Sequence, residues 1–97
     1  MSTSSTISPT SRVVAAKEQV SCDLAGEAAM LNLKNGVYYG LDPVGARIWN
    51  LIQQPRIVSE VLQILLEEYE VNSERCERDL LELLQNLAAE GLVEVTA

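Results

Sequence analysis

The sequence predicts an α+β fold: a three-stranded antiparallel β-meander followed by a three-helix bundle. Three observations carry that expectation. Apolar residues alternate with period two in short runs between Val20 and Leu41, the period changes to 3.6 from Asp42 onward, and the two kinds of element are segregated along the chain.

The runs are Val20-Ser21-Cys22-Asp23-Leu24, Ala29-Met30-Leu31-Asn32-Leu33 and Val37-Tyr38-Tyr39-Gly40-Leu41. Gly26 marks a turn between the first two. Lys34-Asn35-Gly36 joins the last two, and Asn-Gly is a strong hairpin signal because both residues tolerate positive φ. Strands over 28–33 and 37–41 would place Ala29, Leu31 and Leu33 on one face and Val37, Tyr39 and Leu41 on one face, the expected core faces.

Asp42-Pro43 starts the first helix: the carboxylate accepts from free N–H groups, and proline at the first helical position loses nothing by lacking its own. Val44, Ile48, Leu51 and Ile52 form its stripe, Trp49 flanks it as a core residue, Gly45 allows close approach to a neighbour, and Pro55 follows its end. A second helix over about 57–69 carries Val58, Val61, Leu62, Leu65, Leu66 and Tyr69. Ser73 is expected to cap a third, with Cys76, Leu80, Leu83, Leu84 and Leu87 inward and Gly91 as a left-handed stop. Leu92-Val93-Glu94-Val95 reads as a returning strand. A helical trio beside a meander is winged-helix-like, a shape that does not specify function.

Ninety-seven residues suit one domain. We expect a disordered tail over 1–12, where eight Ser/Thr surround Pro9 and Ile7, and a folded domain over 13–97. With three Tyr, one Trp and no Phe, the core must be largely aliphatic. No signal peptide or membrane span is evident, so a cytoplasmic location is the default expectation.

The chain has no histidine and a formal charge of −7. Histidine-based acid–base catalysis, His-assisted nucleophiles and His-containing zinc sites are thereby excluded. No metal or cofactor is expected, since Cys22 and Cys76 are too far apart in sequence to form a ligand cluster. They read as small apolar residues in a reducing compartment, with a disulfide between them left open. No carboxylate pair has neighbours that would tune it for catalysis. Residues 1–41 are electrically balanced, and the whole acidic excess lies on 42–97. Glu60, Glu67, Glu68, Glu74, Glu77, Asp79, Glu82 and Glu90 would repel DNA from the second and third helices, which weighs against nucleic-acid binding and a winged-helix transcriptional regulator.

Leu31-Asn32-Leu33-Lys34-Asn35-Gly36-Val37-Tyr38-Tyr39-Gly40-Leu41-Asp42-Pro43-Val44-Gly45-Ala46-Arg47-Ile48-Trp49 resembles the PqqD-like family, the recognition elements of ribosomally made, post-translationally modified peptides. Asp79-Leu80-Leu81-Glu82-Leu83-Leu84-Gln85-Asn86-Leu87, closed by Gly91-Leu92-Val93, resembles that family's last helix. The resemblance covers about residues 14–95. Leu92 stands where members serving pyrroloquinoline quinone synthesis typically carry Trp, and the Tyr-Tyr-Gly-Leu-Asp-Pro stretch is closer to the stand-alone recognition proteins of split lasso-peptide maturases.

The resemblance implies a non-catalytic adaptor that captures a precursor's leader peptide. It would present the leader to a separate cysteine-protease-like leader peptidase, ahead of an ATP-dependent lactam-forming cyclase. A peptide chaperone for another modifying enzyme, such as a radical SAM enzyme, is the alternative. In this family the leader adds as a strand beside the third strand, against the third helix. That assigns peptide binding to Val37, Tyr38, Tyr39 and Leu41 on the strand, and to Asp79, Glu82, Leu83 and Asn86 on the helix. From spacing alone, Tyr39 is equally a core tyrosine and the helical strip equally a solvated flank, while a strand 37–41 paired within the sheet on both sides is the lesser alternative to an open edge. An acidic strip would favour a basic leader in a salt-dependent way. The expected oligomeric state is a monomer or weak dimer, because an open edge invites pairing.

Overall fold

The computed structural model describes residues 7–17, 19–24, 27–34, 36 and 38–96. Its strands are β1 (Arg12–Ala15), β2 (Gln19–Leu24), β3 (Glu27–Asn32), β4 (Tyr38–Leu41), β5 (Arg56–Ile57) and β6 (Val93–Thr96); its helices are α1 (Pro43–Leu51), α2 (Val58–Glu68) and α3 (Ser73–Ala89). The expected meander is present as the antiparallel sheet β2-β3-β4. A second sheet, β5-β1-β6, was not expected in full. Its last strand was anticipated from Leu92–Val95, whereas β1 and the two-residue β5 are too short to show a period.

The N-terminal boundary also differs from expectation. Residues 1–6 of the expected tail lie outside the described residues, but Ile7 is buried and β1 already starts at Arg12. The reason lies at the start of α2. Its N-cap position is Ile57, whose side chain cannot accept a hydrogen bond, so the first helical amides need acceptors from elsewhere. Val58 N–H donates to Ser11 C=O and Ser59 N–H to Pro9 C=O, each at 2.9 Å, and Glu60 reaches back to accept from Ile57 N–H at 3.1 Å. Segment 7–11 is held as the cap that α2 lacks.

The Lys34-Asn35-Gly36 turn brings a larger correction. A three-residue link would pair Leu31 with Tyr39; the observed register pairs Met30 with Tyr39 and Leu31 with Tyr38. A one-residue slip reverses the face of every side chain in a strand. Met30 and Asn32 therefore point inward, almost fully buried, while Leu31 and Leu33 are exposed instead of forming the expected core face. The slip is possible because Leu33 joins the loop, in which Gly36 has φ 73° and donates its N–H to Asn32 C=O at 2.8 Å. Gly26, Asn35 and Val37 lie outside the described residues.

α1 starts as expected, with Asp42 Oδ1 accepting from Gly45 N–H at 2.8 Å and Pro43 in the first turn. A Cβ on Gly45 would lie 3.2 Å from both Leu41 side-chain carbons and Asp42 Oδ1, so the strand-to-helix corner is packed around its absence. The free carbonyls at the end of α1 are taken by Arg56 Nε on Leu51 (2.7 Å) and Gln53 Nε2 on Trp49 (2.9 Å). α3 is capped one residue earlier than expected, by Asn72 Oδ1 accepting from Arg75 N–H at 3.0 Å. It ends in a Schellman motif: Leu92 N–H donates to Leu87 C=O (2.9 Å) and Gly91 N–H to Ala88 C=O (3.0 Å), with Gly91 at φ 75°.

One core joins these elements. Val13, Met30, Leu41, Ile48, Trp49, Val58, Val61, Leu65, Leu80, Leu84, Leu87 and Leu92 are all buried in a single cluster. Burying each large aliphatic side chain contributes about 2 kcal/mol, which is how a mainly aliphatic interior of this size holds together. Trp49 is core, as expected. Val44, expected in the α1 stripe, is instead exposed, and Cys76 and Leu83 are only half-buried. All three border the same open space.

Candidate functional site

That space is a groove of about 880 Å³ between the edge strand β4, the first turns of α1 and the N-terminal two-thirds of α3. Among the described residues β4 is the terminal strand of its sheet, paired with β3 on one side only. Alternate N–H and C=O groups on its other side are thus left to face the groove. Leu65 of α2, with Ile48 and Leu80, closes the floor, and Tyr39, Val44, Val71, Cys76 and Leu83 form apolar walls. Asn72, Arg75 and Asp79 stand at the α3 side, and Asp42 at the α1 corner.

Local chemistry sets this spacing. Asp42 and Gly45 turn the chain sharply from β4 into α1, so one short segment provides both the edge and the adjoining end of the groove. At the far end of the opposite wall, Asn32 Nδ2 donates to Glu90 C=O at 2.7 Å, while Asn32 Oδ1 accepts from Lys34 N–H at 2.8 Å. A buried asparagine on β3 thereby holds the C-terminus of α3 to the meander. The groove lies between these two anchors.

The expected peptide-binding residues separate in the structure. Tyr39, Leu41, Asp79 and Leu83 come together as groove lining. Tyr38 belongs to β4 but is 69% exposed on the opposite face of the sheet, as its alternation with Tyr39 requires. Val37 lies outside the described residues. Glu82 does not reach the groove: with Glu74, Glu77, Arg78, Leu81 and Gln85 it lines a shallow depression on another side of α3. Asn86 is exposed and borders neither space. Three- and four-residue spacing alone does not separate these residues: Glu82 lies about 100° around the helix from Leu83, and Asn86 lies beyond Leu83, the last α3 residue that lines the groove. Val44, Val71, Asn72, Arg75 and Cys76 were missed as lining residues. Arg75 and Cys76 lie four and three residues before Asp79, and the N-cap Asn72 lies three and four before them, so the same spacing continued toward the start of α3 would have included all three.

The electrostatics are correspondingly milder than an acidic strip. Arg75 lies 3.9 Å from Asp79 on the exposed face of α3, so the only carboxylate that α3 gives the groove has a cation beside it. Burial pushes the Cys76 thiol above its ordinary pKa, and Asp79 adds to the rise, so the sulfur stays protonated at neutral pH. Among the described residues no group of three or more His, Cys, Asp or Glu is placed to hold a metal ion. No helix among them is long and apolar enough to cross a membrane. The arrangement can offer backbone hydrogen bonds along an edge, an apolar floor, and a small number of polar groups at the rim.

Comparison with known proteins bears on the same elements. Residues 27–93 match the family described as coenzyme PQQ synthesis protein D (PqqD). The chain is also similar to TbiB1, solved in complex with the TbiA(beta) leader peptide, with 36% identity, a TM-score of 0.79, and coverage of 87% of this chain and 98% of that one. A lasso peptide synthetase B1, likewise complexed with a leader peptide, shares the fold at 24% identity and a TM-score of 0.74, over 84% of this chain and 96% of that one. No curated protein matches the chain. The family match begins at β3 and ends at the start of β6, and so contains every element that lines the groove. The chain belongs to the PqqD family.

Proposed function

We propose that this chain is a non-catalytic adaptor in ribosomal peptide biosynthesis, most specifically of lasso peptides. It captures the leader of a precursor by adding it as a strand to β4, with α3 as the facing wall. It then presents the bound leader to a separate cysteine-protease-like peptidase, upstream of an ATP-dependent lactam-forming cyclase. The observation that carries this proposal is the unpaired edge of β4 forming one wall of an open groove. Strand addition uses backbone hydrogen bonds for affinity and alternate side-chain pockets for selectivity, and the groove provides both. The leader-bound state of TbiB1 supports the same role for this relative.

The test is fluorescence anisotropy with a labelled synthetic leader of the precursor encoded beside this chain. Tyr39→Ala and Leu83→Ala are expected to weaken binding at least tenfold, and Glu82→Ala to leave it within twofold. Loss on Glu82→Ala with no effect of the other two would move the site to the acidic side of α3 and overturn the proposal.

A further inference from the structure

Gly40 has no evident role in the chain's own fold. It sits inside β4, where glycine weakens a strand, yet its φ is outside the left-handed region. A Cβ built on it would meet nothing within 4 Å. Neither conformation nor packing requires glycine here, in contrast to Gly45 and Gly91, which have close neighbours.

The surroundings indicate what the space can take. Gly40 pairs with Ala29 across the sheet, and the adjacent row on the same face pairs Tyr38 with Leu31. The result is a notch on the outer face of the meander: two small residues form its base, and the exposed Tyr38 and Leu31 form one wall. The notch opens at the free edge of β4, where Gly40, having no side chain on the outer face, also lines the groove. A strand added there directs alternate side chains to opposite faces, so residues between those entering the groove must cross the outer face beside Gly40. A large side chain set opposite a glycine covers its bare backbone and gains cross-strand contact.

We propose that Gly40 is a specificity-determining position, and that the captured peptide carries a large apolar side chain, aromatic or long aliphatic, opposite it. That side chain lies over Gly40 and Ala29 against Tyr38, on the face of the sheet opposite the groove. The peptide is thus gripped from both faces of β4. This inference rests on the strand-addition reading above and adds a second, outer subsite to it.

The test couples Gly40→Val to an alanine scan of the same synthetic leader. Gly40→Val is expected to leave the melting temperature unchanged or higher and to weaken leader binding at least tenfold. One large apolar leader residue should cost at least tenfold on replacement by Ala with the native protein and less than twofold with Gly40→Val. Should Gly40→Val fold poorly, Gly40→Ala serves instead, with a smaller loss coupled to the same leader residue. If binding to the glycine variant stays within twofold, or no leader residue couples to it, the outer subsite is refuted. In that event a loss on Tyr39→Ala would leave strand addition standing, whereas absence of leader binding to native protein would remove both.

Discussion

Replacing Gly91 by Ala tests how the α3 wall of the groove is held. Gly91 has φ 75° at the end of α3, where an L side chain costs about 1–2 kcal/mol. The added Cβ would lie 2.8 Å from Asn32 Nδ2, so the amide that donates to Glu90 C=O must move. Asn32 is only 3% exposed, and a buried hydrogen-bonding group left without its partner costs about 1–3 kcal/mol. Together the two effects predict a loss of about 2–5 kcal/mol, a large part of the stability of a small domain. At roughly 4–8 °C per kcal/mol, the melting temperature should fall by at least about 8 °C. Thermal unfolding followed by circular dichroism measures it. In an Asn32→Ala background the clash is absent, and Gly91→Ala should then cost only the backbone strain of about 1–2 kcal/mol. A fall below about 3 °C in the native background, or equal losses in both backgrounds, would refute the account of how α3 is pinned to β3.

Other consequences concern the corner, the thiol and the exposed ion pair. Asp42→Ala removes the α1 cap and should cost about 1 kcal/mol in denaturant unfolding, with Asp42→Asn close to neutral. Because burial raises the Cys76 pKa, iodoacetamide should alkylate it more slowly at pH 8 than an exposed cysteine, and slower still with leader in the groove; acceleration by leader would be contrary. Glu68 accepts two hydrogen bonds from Arg47, which hold its carboxyl below the usual range. A depressed carboxyl contributes stability that is present above its unfolded pKa and lost as pH falls through the folded one. Glu68→Gln should therefore flatten the acid limb of the stability–pH curve, slightly because the pair is exposed.

Much of this fold was legible because local chemistry and tertiary packing agree. Asp42-Pro43 and Gly91 bound helices as their capping chemistry requires, and the stripes Val58/Val61/Leu65 and Leu80/Leu84/Leu87 are buried as their spacing implies. The failures occur where one residue shifts a period or where the partner is distant. Counting Leu33 in strand rather than loop reverses the face of β3, and alternation alone cannot detect this because Ala29-Met30-Leu31 is apolar throughout. Segment 7–11 has a polar composition, yet α2 lacks a side-chain cap and recruits its carbonyls, a demand visible only once Ile57 is known to start the helix. The edge strand and the Tyr39, Asp79 and Leu83 lining were expected; Glu82, three residues from Asp79, sits on another side of α3, a distinction that three- and four-residue spacing alone does not make.

Strand addition at β4 is the central claim, and amide hydrogen exchange with and without the synthetic leader tests it most directly. Tyr38 to Leu41 form the free edge, so their outward amides should exchange freely in the unbound protein and slow at least tenfold when the leader binds. Saturating leader that leaves these amides unprotected, while slowing exchange only along the Glu74, Glu77 and Glu82 side of α3, would contradict it.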